Sequence, residues 1–121
     1  MLVRPAEAER SRRFYRDTLG LAVYREFGPP DNPGLVFFLG PGFLEVSGRS
    51  DAPAAGPTAI WLQVRDVRAE HERLRARGVT VVREPRAEPW GLIEMWIEDP
   101  DGVPIVLVEV PDDHPLRRDP R

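Results

Sequence analysis

Glu88-Pro89-Trp90-Gly91, then Leu92-Ile93-Glu94-Met95-Trp96-Ile97-Glu98, then Asp99-Pro100-Asp101-Gly102 and Pro104-Ile105-Val106-Leu107-Val108-Glu109-Val110: this stretch decides the fold. Two apolar runs of strand length flank a turn of Asp, Pro and Gly, the composition of a β-hairpin. Trp90 and Trp96, two of the chain's three tryptophans, fall within it. Tryptophan beside acidic residues favours a surface for flat or cationic ligands.

Outward from the hairpin, the chain repeats itself. Leu19-Gly20-Leu21-Ala22-Val23-Tyr24-Arg25-Glu26 lies over Arg77-Gly78-Val79-Thr80-Val81-Val82-Arg83-Glu84 at an offset of 58 residues. In both copies a charged helical pattern ends at glycine, an alternating strand begins, and the strand closes on Arg-Glu. Gly20 and Gly78 suit the left-handed position that ends a helix. The first half predicts a strand over 1–4, a helix over 6–19 and strands over 21–27, 35–39 and 43–47. The second predicts a strand over 58–64, a helix over 67–77 capped by Asp66, and strands over 79–83, 93–98 and 104–110. Each half reads βαβββ. One domain over 1–121 follows, with module one at 1–48, a connector at 49–57, module two at 58–110 and a mobile tail at 111–121.

Composition narrows the chemistry. The chain has 121 residues, enough to bury a core without metal or disulfide help. It lacks cysteine, which excludes disulfides, thiolate nucleophiles and Cys-type zinc sites. All 17 basic residues are arginine, so lysine Schiff-base chemistry is excluded too, and the Ala, Gly and Pro content suggests a GC-rich bacterial source. The net charge of −3, with both signs interspersed, is not the footprint of a nucleic-acid binder. Without an apolar leader or a membrane-length apolar run, the expectation is a cytoplasmic protein with no membrane partner.

The two βαβββ halves, the helix text Ser11-Arg12-Arg13-Phe14-Tyr15-Arg16-Asp17-Thr18-Leu19-Gly20-Leu21 and the Pro-Trp-Gly and Asp-Pro-Asp-Gly motifs together resemble the vicinal oxygen chelate superfamily, and within it the glyoxalase/bleomycin-resistance group. The resemblance covers nearly the whole chain. It implies an α+β fold in which the two modules form a curved mixed sheet around a concave cleft. It also implies one divalent metal held by four strands. Carried over residue by residue, the four ligand positions fall just before Met1, on Glu45, on Ala59 and on Val106. Glu45 is the only oxygen donor among them, and a lone carboxylate does not make a specific divalent site. No metal or other cofactor is expected. His71 reads as a partly buried helical residue and His114 as a solvated tail residue.

Strand alternation assigns the faces. Ile60, Leu62, Val64, Leu44, Val46, Ile105, Leu107, Ile93, Met95 and Ile97 are expected in the core. Ala59, Phe43, Ser47, Pro104, Val106 and Val108 point the other way. The candidate ligand-binding residues are Phe43, Glu45, Trp61, Gln63, Trp90, Glu94 and Trp96. Aromatic rings with Glu45 and Glu94 suit a flat, partly apolar ligand carrying a positive group. Gly40-Pro41-Gly42 is a hairpin turn rather than a phosphate loop, because Pro41 lacks a donor. Ser11, Ser47 and Ser50 have no histidine placed for a relay. A Glu45–Glu94 acid–base pair would require the two carboxyls a few ångströms apart.

The sequence thus favours a metal-independent binder of small drug-like molecules, resembling the bleomycin-resistance proteins and acting as a homodimer in antibiotic resistance. One competitor is an enzyme of the same superfamily, a lyase, isomerase or dioxygenase with an unconventional metal site. The other is a non-catalytic structural dimer with a filled cleft.

Overall fold

The computed structural model describes residues 1–40, 42–50 and 58–114. Most of the expected connector and the end of the expected tail lie outside the described residues. The chain divides into two units, Met1–Ala54 with Pro100–Gly102, and Ala55–Asp99 with Val103–Arg121.

The first unit runs β1 (Leu2–Val3), α1 (Ala8–Arg13), β2 (Val23–Phe27), β3 (Gly34–Leu39) and β4 (Gly42–Val46). Its sheet has the order β1-β4-β3-β2, with β1 parallel to β4 and the other pairs antiparallel. The second unit runs β5 (Ile60–Val64), α2 (Val67–Ala76), β6 (Thr80–Ala87), β7 (Ile93–Glu98) and β8 (Pro104–Glu109). Its order is β5-β8-β7-β6, with β5 parallel to β8. The fold is α+β, two βαβββ modules of one topology, each with a four-stranded mixed sheet. Gly20 and Gly78 hold equivalent corners at φ 85° and 77°, the left-handed region expected of both.

Alternation sorts the strands as expected. In the first module Val3, Leu35, Phe37, Leu44 and Val46 are buried together with Phe14 and Tyr15. Tyr15 meets Phe14 edge-on at 5.0 Å and Phe37 at 6.2 Å between ring centroids. In the second, Ile60, Met95, Ile97, Ile105 and Leu107 are buried with Val67 and Leu74 of α2. Each such side chain contributes about 1.5–3 kcal/mol relative to exposure. Leu62, Val64 and Ile93 are only half-buried.

Three local features differ from the sequence expectation. The first helix does not run α-helical to residue 19. After Arg13 it widens into a π-helical turn, Phe14–Thr18, where the Leu19 N–H donates to the Phe14 carbonyl at 2.7 Å. β6 continues four residues past the expected 83, through Pro85. As an edge strand with register shifts on either side of Arg83, it accommodates a residue that cannot donate to a ladder. His114 is not a solvated tail residue: it is half-buried, and its Nε2 lies 2.9 Å from the Trp90 carbonyl oxygen.

The start of α2 follows the sequence. Asp66 caps α2, its Oδ1 accepting from the Ala69 N–H at 3.1 Å, and Glu109 accepts from the Val67 N–H at 3.0 Å. α1 starts at Ala8 with no side-chain cap, and the chain leading into it is fixed by a residue remote in sequence. Asp101, of the Asp-Pro-Asp-Gly turn, accepts from the Ala6 N–H, the Ser11 hydroxyl and the Arg10 guanidinium at 3.2, 3.3 and 2.8 Å.

Candidate functional site

Each sheet has one face packed into its core and a second face turned away from it. On the first sheet, cross-strand partners place Leu2, Glu45, Val36 and Arg25 in one row and Phe43 opposite Phe38 in the next. Directly paired residues share a face, so Phe43, Phe38 and Glu45 stand together. Tyr24, from β2, joins them. Its ring centroid lies 5.1 Å from that of Phe38 and 4.7 Å from that of Phe43, with Phe38 and Phe43 5.9 Å apart. All three rings are about half-exposed. Those separations put their common centre about 3 Å from each centroid, too near for a ligand atom, which needs roughly 3.5–4 Å from ring carbons. The trio is therefore a closed platform that offers its outer surface, not a cage. Beside it Glu45 is half-buried and accepts from the Ser47 hydroxyl at 2.6 Å.

On the second sheet the matching row reads Trp61, Val106, Trp96 and Arg83. The row beside it reads Gln63, Val108, Glu94 and Arg86. Trp61 and Gln63 are exposed, whereas Val106 and Val108 are buried in a cluster with Leu92 and Val110, against which Trp96 packs. The valines are thus floored over by the chain's own side chains. What this face presents instead is the flanking tryptophans and the polar edge.

That edge is an ion-pair network. Glu88, from the Pro-Trp-Gly loop, pairs with Arg83 through Oε1 and lies 3.4 Å from Arg86 Nε. Glu94 accepts from the Trp90 indole N–H at 2.7 Å and lies 3.9 Å from Arg83. Trp90 is more than half-exposed yet held at both ends, by Glu94 at Nε1 and by His114 at its carbonyl. Such a pre-set indole loses little freedom when something stacks on it.

Among the described residues no three His, Cys, Asp or Glu side chains stand close enough to hold a metal ion. Within the second unit, Ala59 and Val106 offer no donor atom, and within the first Glu45 is already bonded to Ser47. The donor set does not fit the divalent centre the resemblance implies.

Of the seven candidate residues, the structure brings Phe43 and Glu45 together on the first sheet. Trp61, Gln63, Glu94 and Trp96 share the second, with Trp90 bonded to Glu94. Glu94 is buried and accepts from the Trp90 indole. Sequence reading missed Tyr24, Phe38, Arg83, Arg86 and Glu88. The internal repeat contained a signal for one of them, since Arg25 and Arg83 align and occupy the same place in matching rows.

Residues 1–107 match the family model described as Glyoxalase/Bleomycin resistance protein/Dioxygenase superfamily. The chain is 28% identical over 119 residues to a probable lactoylglutathione lyase of Synechocystis sp., with 89% of this chain and 91% of the relative covered. It is 30% identical over 121 residues to the lactoylglutathione lyase of Haemophilus influenzae, covering 89% and 88%. Among solved structures it resembles TnmS3, an antibiotic binding protein from Streptomyces sp. CB03234, at a TM-score of 0.75 and 25% identity, covering 92% of this chain and 93% of that one.

Proposed function

Because the chain belongs to the Glyoxalase/Bleomycin resistance protein/Dioxygenase superfamily, whose members host both binding and catalysis, we propose that it is a metal-independent binding protein for small, flat molecules. The observation that carries this reading is the exposed platform of Tyr24, Phe38 and Phe43 beside Glu45. A contiguous exposed aromatic surface marks an interaction site, and a carboxylate next to it suits a ligand with a positive group. The antibiotic-binding relative TnmS3 supports the same reading, with antibiotic resistance as the corresponding role in the cell. We place the protein in the bacterial cytoplasm as a homodimer; among the described residues no helix is long and apolar enough to cross a membrane.

Thermal-shift screening against aromatic cations tests it. A ligand at a hundred times its dissociation constant stabilises by about 2.7 kcal/mol. Phe43→Ala is expected to weaken such a ligand by roughly fivefold, the worth of about one ring contact. Absence of any shift across a broad panel sinks the proposal.

A second reading, a lyase, rests on the two lactoylglutathione lyases among the relatives. Since the donor set does not fit a metal, this reading requires an unconventional centre. Stoichiometric nickel, zinc, manganese or iron in protein purified without chelators, together with turnover to lactoylglutathione, would establish it in place of binding.

A further inference from the structure

The sequence points to a cationic ligand throughout, but the second sheet is built for the opposite charge. Four charged groups meet at its polar edge: Arg83, Arg86, Glu88 and Glu94. Their charges cancel in number but not in position. The side chains of Glu88 and Glu94 are 2% and 11% exposed, whereas those of Arg83 and Arg86 are 34% and 61% exposed. The carboxylates are buried under their partners, and the surface a ligand meets is guanidinium. The carboxylates are also committed, Glu88 to the two arginines and Glu94 to the Trp90 indole. One step beyond Trp96 on the same strand face stands half-buried Glu98, so the face is polarised, acidic towards Glu98 and basic towards Arg86.

We propose that this face binds flat ligands bearing an acidic group, the ring lying on Trp90 or Trp96 and the acid paired with Arg86 and Arg83. A guanidinium presents a fork of donors that matches a carboxylate's two oxygens, and indoles flanking it supply apolar contact at low entropic cost. The inference rests on the reading of the sheet faces as small-molecule binding surfaces. It differs from that reading in the sign of the charge selected here.

The chain is its own reporter. All three tryptophans, Trp61, Trp90 and Trp96, lie in the second module, so indole emission follows this face and not the platform of the first. The full chain is titrated with three probes of one ring system: 2-naphthoate, 2-naphthylmethanol and 2-naphthylmethylammonium. Naphthoate is expected to bind roughly tenfold tighter than the ammonium probe, with the preference shrinking as salt rises from about 0.05 to 0.5 M. Arg86→Gln leaves Glu88 paired with Arg83, and an unchanged melting temperature verifies its fold. This variant is expected to weaken naphthoate by about fivefold and leave naphthylmethanol unaffected. Ammonium binding as tightly as naphthoate, or an Arg86→Gln protein that binds naphthoate unchanged, overturns the charge assignment while small-molecule binding stands. No saturable binding of any of the three overturns this face as a binding surface, while the platform of the first sheet stands or falls by the thermal-shift screen, so the two failures are distinguishable.

Discussion

Across the first sheet one row reads Leu2, Glu45, Val36 and Arg25; across the second the matching row reads Trp61, Val106, Trp96 and Arg83. The strand order is the same and the last residue is the same, yet the chemistry is exchanged. The first module places a carboxylate in the middle of its face and gathers phenyl and phenol rings one row away. The second places valine in the middle and tryptophans on both sides. Arg25 lies over the Phe27 ring at 5.2 Å, on the surface, whereas Arg83 is drawn into a pair with a buried carboxylate. Duplicated topology sets where side chains stand, and each copy then fills those places for its own purpose.

The two equivalent arginines supply the largest expected effect. Arg83→Ala leaves buried Glu88 with only its longer contact to exposed Arg86, and a buried carboxylate stripped of its nearer partner costs about 2 kcal/mol. Arg25→Ala removes an exposed cation–π contact worth about 0.5 kcal/mol. Urea denaturation of the two variants reads the difference directly. Losses of equal size would mean that the second-module network is no more than a surface ornament, and the contrast between the modules would fall.

The ease of reading these modules from sequence was uneven, for physical reasons. The Asp-Pro-Asp-Gly turn, the Asp66 cap and the two helix-ending glycines declare themselves because each residue type satisfies a local backbone requirement. The core of alternating aliphatics in β4 is legible by period alone, whereas in β8 Val106 and Val108 are buried on the second face as well. The exposed rings of Tyr24 and Phe38 are not. Tyr24 belongs to a strand with no buried alternation, Val23–Glu26 being exposed throughout, and its ring neighbours come from other strands. Glu88 and Arg83 escape for a different reason. Burial of a charge is decided by a partner that the bulges around Arg83 bring into range, and periodicity carries no sign of that. Glu94 shows the limit most clearly: alternation gives its face correctly but not the indole that occupies it.

Glycines give the next contrast. Gly91 has φ 91°, and a Cβ there would stand 2.9 Å from the His114 ring. Gly20 and Gly78 have similar φ, but a Cβ there meets nothing within 4 Å among the described residues. Gly20→Ala and Gly78→Ala each carry only the left-handed penalty, about 1 kcal/mol. Gly91→Ala adds displacement of His114 from the Pro-Trp-Gly loop, for a total of about 2 kcal/mol. Thermal melts rank the three. If all three fall equally, His114 is not holding that loop. Matching losses at Gly20 and Gly78 sharpen the case that the modules share their corners.

The smallest effect tests whether the two modules also bury opposite members of an ion pair. In the second, the carboxylate of Glu88 is inside and Arg83 is nearer the surface. In the first, Arg12 is 7% exposed and its partner Glu9 61%. The Arg12 guanidinium is fixed by the Asn32 side chain and the Pro33 carbonyl at 3.2 and 3.0 Å, so it is positioned before Glu9 joins it. The hydrogen bond and charge of Arg12, with a lesser contribution from Arg13, hold the Glu9 carboxyl below the ordinary glutamate range. A carboxyl depressed on folding stabilises the protein above its unfolded pKa, and that stabilisation disappears as pH falls through the folded value. Because Glu9 lies in solvent, the stability change is slight and the titration itself is the better measurement. Carboxyl NMR is expected to show Glu9 titrating below about 4.3, the value for an unperturbed glutamate, and to return towards it in Arg12→Gln. An undisplaced Glu9 would leave Arg12 serving only the loop at Asn32 and Pro33, and the inversion between the modules would rest on the second module alone.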